Sequence, residues 1–334
     1  MATRGQKTGH EGASGALAWD VYVDALIAAH GSLVAVCERI AALRAYKEDV
    51  ESIGRALRRL RARGTLPGGA WGDRLLATFG LPADVGERLR FMGQYHSRFV
   101  DLPLPLAADL VRLWDRPPTS ASRAGRTWLS LARATLAVRA NAFDAAAQHF
   151  ETAAVAVVAA DDPLASIEIA LGRSFIASRA APTRVPAALD AVPDALARCR
   201  GGDADCLRAR HAGQIAYAHN RAGDVARALD LHAALPDAGD THAFARSRRA
   251  NGIAYGRFRS GDRSGALVEA RRAATFAGDA GHVRLRAMAL LMVARVADAA
   301  ESADARRRAR AIATALADGR LLARCDAADR DATA

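Results

Sequence analysis

The chain has 334 residues, of which 47 are Lys or Arg and 36 are Asp or Glu, so its formal net charge is +11 at pH 7. A hydrophobic content of 51% is enough for a packed core and excludes a chain that is disordered for lack of apolar residues. Four cysteines in so long a chain do not form a disulfide framework, and no apolar run approaches the ~20 residues that span a bilayer.

The N-terminal segment, residues 1–15, is polar and lacks the apolar stretch of a secretory signal. The sequence therefore predicts a soluble, cytoplasmic protein that does not associate with membranes. Arginine supplies nearly all of the positive charge in an alanine-rich chain, so the net charge alone does not indicate nucleic-acid binding.

Residues that favour helices dominate the sequence, and alternation of β-branched with polar residues is nearly absent. Prolines and glycines separate segments of roughly 12 to 20 residues. This pattern predicts an all-α fold. In the N-terminal part the predicted helices cover residues 17–30, 33–43, 47–63, 70–79, 83–100 and 106–114.

Two segments repeat each other at a spacing of 38 residues. Residues 215–229 (IAYAHNRAGDVARAL) and residues 253–267 (IAYGRFRSGDRSGAL) share Ile, Ala, Tyr, Arg, Gly, Asp, Ala and Leu at equivalent positions. Each copy is predicted to form a helix, a Gly-Asp turn and a second helix, because glycine tolerates the left-handed conformation that ends a helix and aspartate caps the next one.

The repeat resembles the tetratricopeptide repeat (TPR), which has a small residue in its first helix and an alanine at a close crossing in its second. Ala216 and Ala254 take the first role here, and Ala228 and Ala266 take the second. The resemblance implies a TPR-like α-solenoid of stacked helix pairs.

Weaker copies extend this pattern over more than half of the chain. In residues 128–150, Asn141 replaces the turn glycine, because Asn tolerates the same left-handed conformation. Further predicted pairs, 164–180 with 185–199 and 282–299 with 302–317, give about five in all. We therefore predict a flexible N-terminus (1–15), a helical domain (16–120), a TPR-like domain (125–320) and a C-terminal tail (321–334).

Residues 31–43 and 52–64 resemble the helix-turn-helix of bacterial transcriptional regulators, whose second helix begins with a Ser or Thr cap and whose third is basic. On the predicted helix 47–63, apolar side chains lie on one side and arginines on the other. The resemblance implies that double-stranded DNA is contacted by Arg55, Arg58, Arg59 and Arg63.

An ordinary solvated helix is the alternative for these arginines. Glu51 and Arg55 are four residues apart, a spacing at which opposite charges stabilise a helix without any partner. Near the other end of the chain, the cluster Arg306, Arg307, Arg308 and Arg310 is likewise predicted to form a solvated surface at the end of the solenoid.

The first helix of each repeat carries the ligand-facing positions in TPR proteins. Aligning the two clear copies predicts a groove that suits a carboxylate or an acidic or extended peptide. The alternative is that its tyrosines pack between neighbouring helices. The predicted groove residues are Arg210, Tyr217, Asn220, Arg221, Arg248, Asn251, Tyr255, Phe258 and Arg259.

Enzyme signatures for phosphate, dinucleotide, nucleophile-elbow or zinc chemistry are missing from the sequence. We therefore expect no catalytic residue, no metal and no cofactor. Two functions fit the pattern: a DNA-binding transcriptional regulator whose TPR-like domain binds a peptide or protein, and a TPR-like interaction scaffold that does not bind nucleic acid. A homodimer is compatible with both.

Overall fold

The computed structural model describes residues 17–43, 47–157, 162–179, 185 and 189–333. These residues form seventeen α-helices and one 3-10 turn, and they contain no β-strand. The predicted all-α fold is therefore confirmed. The predicted N-terminal segment 1–15 and part of the connection between the second and third helices, residues 44–46, lie outside the described residues.

The chain divides into two compact units. The first unit comprises Met1–Leu89 and Leu110–Arg126, and the second comprises Arg90–Asp109 and Thr127–Ala334. Residues 90–109, which the sequence assigns to the N-terminal helical domain, thus belong to the second unit.

The first unit begins with four helices: α1 (Trp19–His30), α2 (Leu33–Ala41), α3 (Val50–Arg61) and α4 (Gly69–Phe79). α1 and α2 meet at 88°, because Gly31 adopts a left-handed φ of 86° and Ser32 then caps α2. No single helix in the described ranges is long and apolar enough to cross a membrane. The bent pair of α1 and α2 reaches the necessary length and apolar composition only when the two helices are counted together.

The core of the first unit is built around Trp19, which is fully buried. Its ring lies so close to the backbone that a Cβ at Gly68 or Gly72 would fall within 3 Å of it. From α3, Ile53 and Leu57 are also fully buried. This apolar side of α3 faces the core, as the sequence predicts, and leaves the arginine side outward.

The helices α5 (Ala83–Gly93), α6 (Leu104–Trp114) and α7 (Arg123–Arg139) each include residues of both units. The predicted helix 83–100 ends earlier, at Gly93, and a 3-10 turn at Arg98–Asp101 follows it. Ser97 starts that turn by accepting a hydrogen bond from the Phe99 N–H at 3.3 Å.

The remainder of the second unit forms ten further helices. They are α8 (Phe143–Ala156), α9 (Pro163–Ala177), α10 (Val192–Ala197), α11 (Gly201–Ala222), α12 (Val225–Ala233), α13 (Ala243–Arg259), α14 (Arg263–Asp279), α15 (Val283–Val296), α16 (Ala299–Ala315) and α17 (Gly319–Thr333). Residues 321–333, predicted as a tail, therefore lie in the last helix.

One kind of turn joins many of these helices. A residue with positive φ ends the helix, and the N–H of the next residue donates to the carbonyl five positions earlier, which is the Schellman arrangement. The predicted left-handed positions Gly223, Gly261 and Asn141 are confirmed, with φ values of 88°, 86° and 66°. The bonds are Ala142 to Ala137, Asp224 to His219, Asp262 to Arg257, His282 to Ala277 and Asp318 to Ala313, at 2.8–3.0 Å.

Aspartates cap the helices that follow three of these turns. Asp224 accepts from the Arg227 N–H at 3.1 Å, and Asp262 accepts from the Gly265 N–H at 2.8 Å. Both caps are as predicted from the Gly-Asp pattern. Asp318 makes the same contact with the Leu321 N–H at 2.9 Å.

Alternate helices pack against one another in the second unit. We call α9, α11, α13, α15 and α17 the first-row helices, since each contacts the next in that series as well as its neighbours in the chain. The small residues predicted at close crossings, Ala216, Ala254, Ala228 and Ala266, are at most 1% exposed. Their size lets the helices approach closely.

Replacing Asp262 with alanine removes the carboxylate that caps α14. We expect Asp262→Ala to lower the free energy of unfolding by about 1 kcal/mol, the usual cost of losing such a cap. Urea unfolding followed by circular dichroism measures this. Asp230→Ala is the control, because the side chain of this exposed aspartate of α12 makes no described hydrogen bond or ion pair. Equal losses in both variants would contradict the capping role.

Candidate functional site

A cleft of about 1110 Å³ lies among the first-row helices α11, α13, α15 and α17. Eight of the nine predicted groove residues line it: Tyr217, Asn220, Arg221, Arg248, Asn251, Tyr255, Phe258 and Arg259. We call this cavity the arginine cleft. The sequence repeat thus brings the equivalent positions of two helix pairs to one surface.

The ninth predicted residue, Arg210, does not line the arginine cleft. Its side chain is buried, and Nη1 donates to Glu168 Oε1 at 2.5 Å. Its guanidinium also lies 4.9 Å from the ring centre of Tyr95. The position equivalent to the cleft residue Arg248 is therefore used for an internal ion pair.

The arginine cleft has a strongly positive lining. Seven arginines face it and no Asp or Glu lines it. Of the seven, Arg306 alone forms an ion pair with a described carboxylate, at 3.4 Å from Asp329. The seven are Arg221, Arg248, Arg259, Arg263, Arg295, Arg306 and Arg324.

Four of these arginines are not among the predicted groove residues: Arg263, at the start of α14, and Arg295, Arg306 and Arg324. Arg306 belongs to the cluster that the sequence predicts to be a solvated surface, and like its neighbours Arg307 and Arg310 it pairs with an aspartate. Arg324 lies in the predicted tail, and Arg295 lies in the last turn of α15. The 38-residue repeat does not continue in register there, so alignment of the two copies could not have identified Arg295 or Arg324.

His232 and Arg248 lie together in one part of the arginine cleft, where two glycines leave room for them. A Cβ at Gly252 would lie 2.3 Å from the His232 ring, and a Cβ at Gly213 would lie 3.1 Å from Arg248 Nη2. Burial and the charges of Arg248 and Arg249 lower the pKa of His232 to about 4, so the imidazole is neutral at pH 7.

Several polar atoms of the cleft lining have no hydrogen-bond partner within the described residues. Buried polar atoms are normally paired, so such a concentration in one cavity favours a site that is completed by a ligand or by water. These atoms are Asn220 Oδ1, His232 Nδ1, Arg248 Nε and Asn251 Oδ1.

The aromatic residues of the cleft fit both predicted roles, as a surface for a ligand and as packing between neighbouring helices. Tyr217 is 45% exposed, as a ligand platform requires. Tyr255 and Phe258 also pack against the core between the first-row helices. Arg259 lies 5.9 Å from the Tyr255 ring centre and donates to its hydroxyl at 3.2 Å, so this tyrosine also holds an arginine in place.

The predicted DNA-binding arginines of the first unit fall into two groups. Arg55 pairs with Glu51 at 2.6 Å, as the solvated-helix alternative predicts, and Arg63 donates to the Pro67 carbonyl at 2.6 Å. Arg58 and Arg59 are exposed, and neither has a hydrogen bond or ion pair to a described residue. These two arginines are therefore available to an external anion.

Residues 94–104 form the part of the second unit that sequence reasoning missed. These residues contact the starts of the first-row helices and the turns before them. The contacting residues are more than 100 positions apart in the sequence, so no local pattern predicts the contacts. The bonds are Gln94 to Asp203 at 3.2 Å, Arg98 to the Ala280 carbonyl at 2.7 Å, the Arg284 N–H to Asp101 at 2.7 Å, and the Leu104 N–H to the Leu316 carbonyl at 2.8 Å.

His96 lies between two carboxylates of the first-row helices. Its ring nitrogens are 2.9 Å from Asp203 Oδ1 and 3.5 Å from Glu168 Oε1. Burial disfavours the charged imidazolium, but the hydrogen bond with Asp203 and the nearby Glu168 carboxylate outweigh that effect and raise the pKa of His96. The charge of Arg210 in turn overcomes the burial of Glu168 and keeps its pKa low.

Asp318 holds a second buried cluster beside this one. Its carboxylate accepts from Arg284 Nε at 2.8 Å and from Arg139 Nε at 3.2 Å. Arg284 also donates to the Tyr95 hydroxyl at 2.5 Å. Burial opposes ionisation of Tyr95, but the charge of Arg284, followed by those of Arg248 and Arg210, outweighs it and lowers the phenol pKa.

A pH dependence of stability follows from His96. Because its pKa is raised in the folded state, its contribution is complete below the unfolded value of about 6.5 and is lost as pH rises through the folded value. We expect the free energy of unfolding of the native protein to fall relative to His96→Gln over that range. Urea titrations of both proteins between pH 6 and 9 measure this, and parallel curves would contradict it.

Metal binding has no geometric support in the part of the chain that the structure describes. No three His, Cys, Asp or Glu side chains there come together as ligands for an ion. All four cysteines are buried and free.

Comparisons with known proteins identify no relative. No family model, no curated protein and no solved structure matches the chain. Any functional conclusion therefore depends on the geometry described above.

Proposed function

We propose that this chain is a DNA-binding transcriptional regulator whose TPR-like second unit binds an acidic, extended peptide or protein segment in the arginine cleft. The observation that carries the proposal is the lining of that cleft, which has seven arginines, exposed aromatic surface and no carboxylate. The Gly-Asp turns, the buried alanines at the crossings and the contacts between alternate helices support the TPR-like interpretation.

Each class of lining residue has a counterpart in an acidic peptide. Guanidinium groups bind carboxylates through paired, charge-assisted hydrogen bonds. Asn220 and Asn251 present amide groups with unbonded oxygens, which suit the backbone N–H groups of an extended chain. Tyr217 supplies an exposed ring, and aromatic residues often provide much of the binding energy at such surfaces.

A labelled decapeptide of alternating Glu and Leu tests this role. We expect it to bind the full-length protein, and the Tyr217→Ala/Tyr255→Ala double variant to bind at least tenfold more weakly, which corresponds to about 1.4 kcal/mol. Fluorescence anisotropy measures the affinity.

Two controls accompany that measurement. Val268→Ala changes a side chain that is 60% exposed and lies outside the arginine cleft, so its affinity should equal that of the native protein. A peptide with Lys in place of each Glu should not bind. Equal binding of both peptides, or no effect of the double variant, would contradict the proposal.

DNA binding by α3 is the second part of the proposal. It is favoured by Arg58 and Arg59, which are exposed, adjacent and without a described carboxylate partner. Arginines of a recognition helix contact phosphates and guanine edges. A homodimer would place two such helices on a symmetric site, and a cytoplasmic location would give access to DNA.

Removing these two arginines should weaken duplex binding and its dependence on salt. We expect Arg58→Ala/Arg59→Ala to reduce the slope of log affinity against log salt by about 2, since each lost phosphate contact changes it by about 0.9. Electrophoretic mobility shifts at several salt concentrations measure this. Arg55→Ala is the control, because Glu51 already neutralises Arg55.

The same measurement separates the alternative function. If affinity and salt slope are unchanged in the double variant, α3 is an ordinary solvated helix. The chain would then be an interaction scaffold without nucleic-acid binding. The proposed binding of a peptide in the arginine cleft would not be affected by that result.

A further inference from the structure

Three histidine rings and one phenylalanine ring form a row near the starts of the first-row helices. The ring centre of Phe244 lies 6.0 Å from that of His96 and 5.8 Å from that of His282. The ring of His282 in turn lies 5.7 Å from that of His242. We call these four residues the ring row. His242 and His282 immediately precede α13 and α15, so the ring row links the starts of these helices to residues 94–104.

The side chain of His242 caps α13. Its Nδ1 accepts a hydrogen bond from the Phe244 N–H at 3.2 Å, which satisfies one of the unpaired N–H groups that begin a helix. A Cβ at Gly202 would lie 2.9 Å from the His242 ring, so the ring also packs closely against the start of α11. In an imidazolium both ring nitrogens carry a proton and neither can accept. Protonation of His242 therefore removes the cap.

The surroundings of His242 offer no free partner for a positive charge. Four titratable side chains face it from the neighbouring elements: His282 of α15, His96, and Asp203 and Asp205 of α11. Both aspartates already have partners, since Asp203 bonds to His96 at 2.9 Å and Asp205 pairs with Arg208 at 3.1 Å. The N–H groups at the start of α13 also disfavour a cation, because this end of a helix is positive.

The titration of His242 is consistent with this geometry. Burial lowers its pKa most, the charges of His282 and His96 lower it further, and the two aspartates do not fully offset these effects. Because the pKa is lower in the folded than in the unfolded protein, the unfolded chain takes up the proton first. The contribution of His242 to stability is therefore complete above the unfolded value of about 6.5 and is lost as the pH falls below it.

The capped first turn of α13 adjoins the arginine cleft. Arg248 follows Phe244 by one helical turn, and its guanidinium lies 5.7 Å from the centre of the Phe244 ring. Arg248, Asn251 and Tyr255 of this helix all line the cleft. A displacement of the first turn therefore reaches residues that we propose to bind a ligand.

We infer that the ring row makes ligand binding in the arginine cleft sensitive to pH. On mild acidification His242 takes up a proton, the cap of α13 is lost, and the loosened first turn displaces Phe244 and Arg248. The ligand is then bound more weakly. This inference rests on the proposed ligand-binding role of the cleft and names its regulation.

His242→Asn separates the cap from its titration. Asparagine is among the best helix-capping residues and has no titratable group, so the variant keeps the cap at every pH. We expect the urea midpoint of unfolding to fall further between pH 7.5 and pH 5.5 in the native protein than in the variant, as followed by circular dichroism. The effect of His96 on stability is present in both proteins and cancels in the comparison. Equal changes would overturn the inference.

The Glu-Leu decapeptide reports the effect on the cleft. The native protein should bind it about fivefold more weakly at pH 5.5 than at pH 7.5, the equilibrium factor that corresponds to one lost cap. His242→Asn should bind equally at both values. The peptide glutamates stay ionised over this range, and His232, with a pKa of about 4, stays neutral.

His149→Asn is the matched control for that measurement. Burial also lowers the pKa of this histidine of α8, but it lies outside the ring row and outside the cleft lining. The variant should therefore keep the native pH dependence of binding. Loss of that dependence in both histidine variants would overturn the inference, because it would then not depend on the cap of α13.

Failure of the inference is distinct from failure of the proposed function. Absence of decapeptide binding at pH 7.5 would reject the ligand-binding role, and the unfolding comparison would still decide whether His242 is a pH-sensitive cap. Binding at pH 7.5 that does not weaken at pH 5.5, or that weakens equally in His242→Asn, would retain the peptide groove and reject its regulation.

Discussion

The second unit depends on the interaction of the buried Asp318 carboxylate with two arginines. The carboxylate is fully buried and accepts hydrogen bonds from Arg139 and Arg284, which lie 179 and 34 positions away in the sequence. Removal of one member of such a group leaves an unpaired charge in the interior and costs about 3–5 kcal/mol. This group thus fixes the end of α7 and the starts of α15 and α17 relative to one another.

The use of carboxylates as internal partners also explains why the arginine cleft is positively charged. The carboxylates near the starts of the first-row helices, Glu168, Asp203 and Asp318, are used within the buried clusters around residues 94–104. Arg248, Arg295 and Arg324, which line the cleft from α13, α15 and α17, form no ion pair with a described carboxylate. The structure therefore separates paired charges in the interior from unpaired positive charge that faces a cavity, and this separation is the basis of the anionic ligand that we propose for the cleft.

Local patterns allowed much of the fold to be predicted. The Gly-Asp turns and their caps are determined within a few residues, and Gly223, Asp262 and Asn141 adopt the predicted conformations. The groove positions were predictable wherever the 38-residue repeat holds its register, as for Tyr217 and Tyr255.

Other features depend on contacts that no local pattern encodes. Residues 94–104 join the helices of the second unit through bonds to Asp203 and to positions between 280 and 316. Arg210 turns inward because Glu168 lies beside it. Arg324 enters the cleft only because α17 continues the first row. In α3, the charge pattern alone fits both a DNA-contacting helix and an ordinary solvated helix. Only the structure shows that Arg55 is paired with Glu51.

The central claim is that an anion binds inside the arginine cleft rather than on exposed arginines in general. Anomalous diffraction from crystals soaked in tungstate locates such an ion directly. The account predicts a peak inside the cleft, within hydrogen-bonding distance of at least one of the arginines that line it. A cleft without a peak, with tungstate bound at exposed arginines such as Arg58 and Arg59, would contradict it.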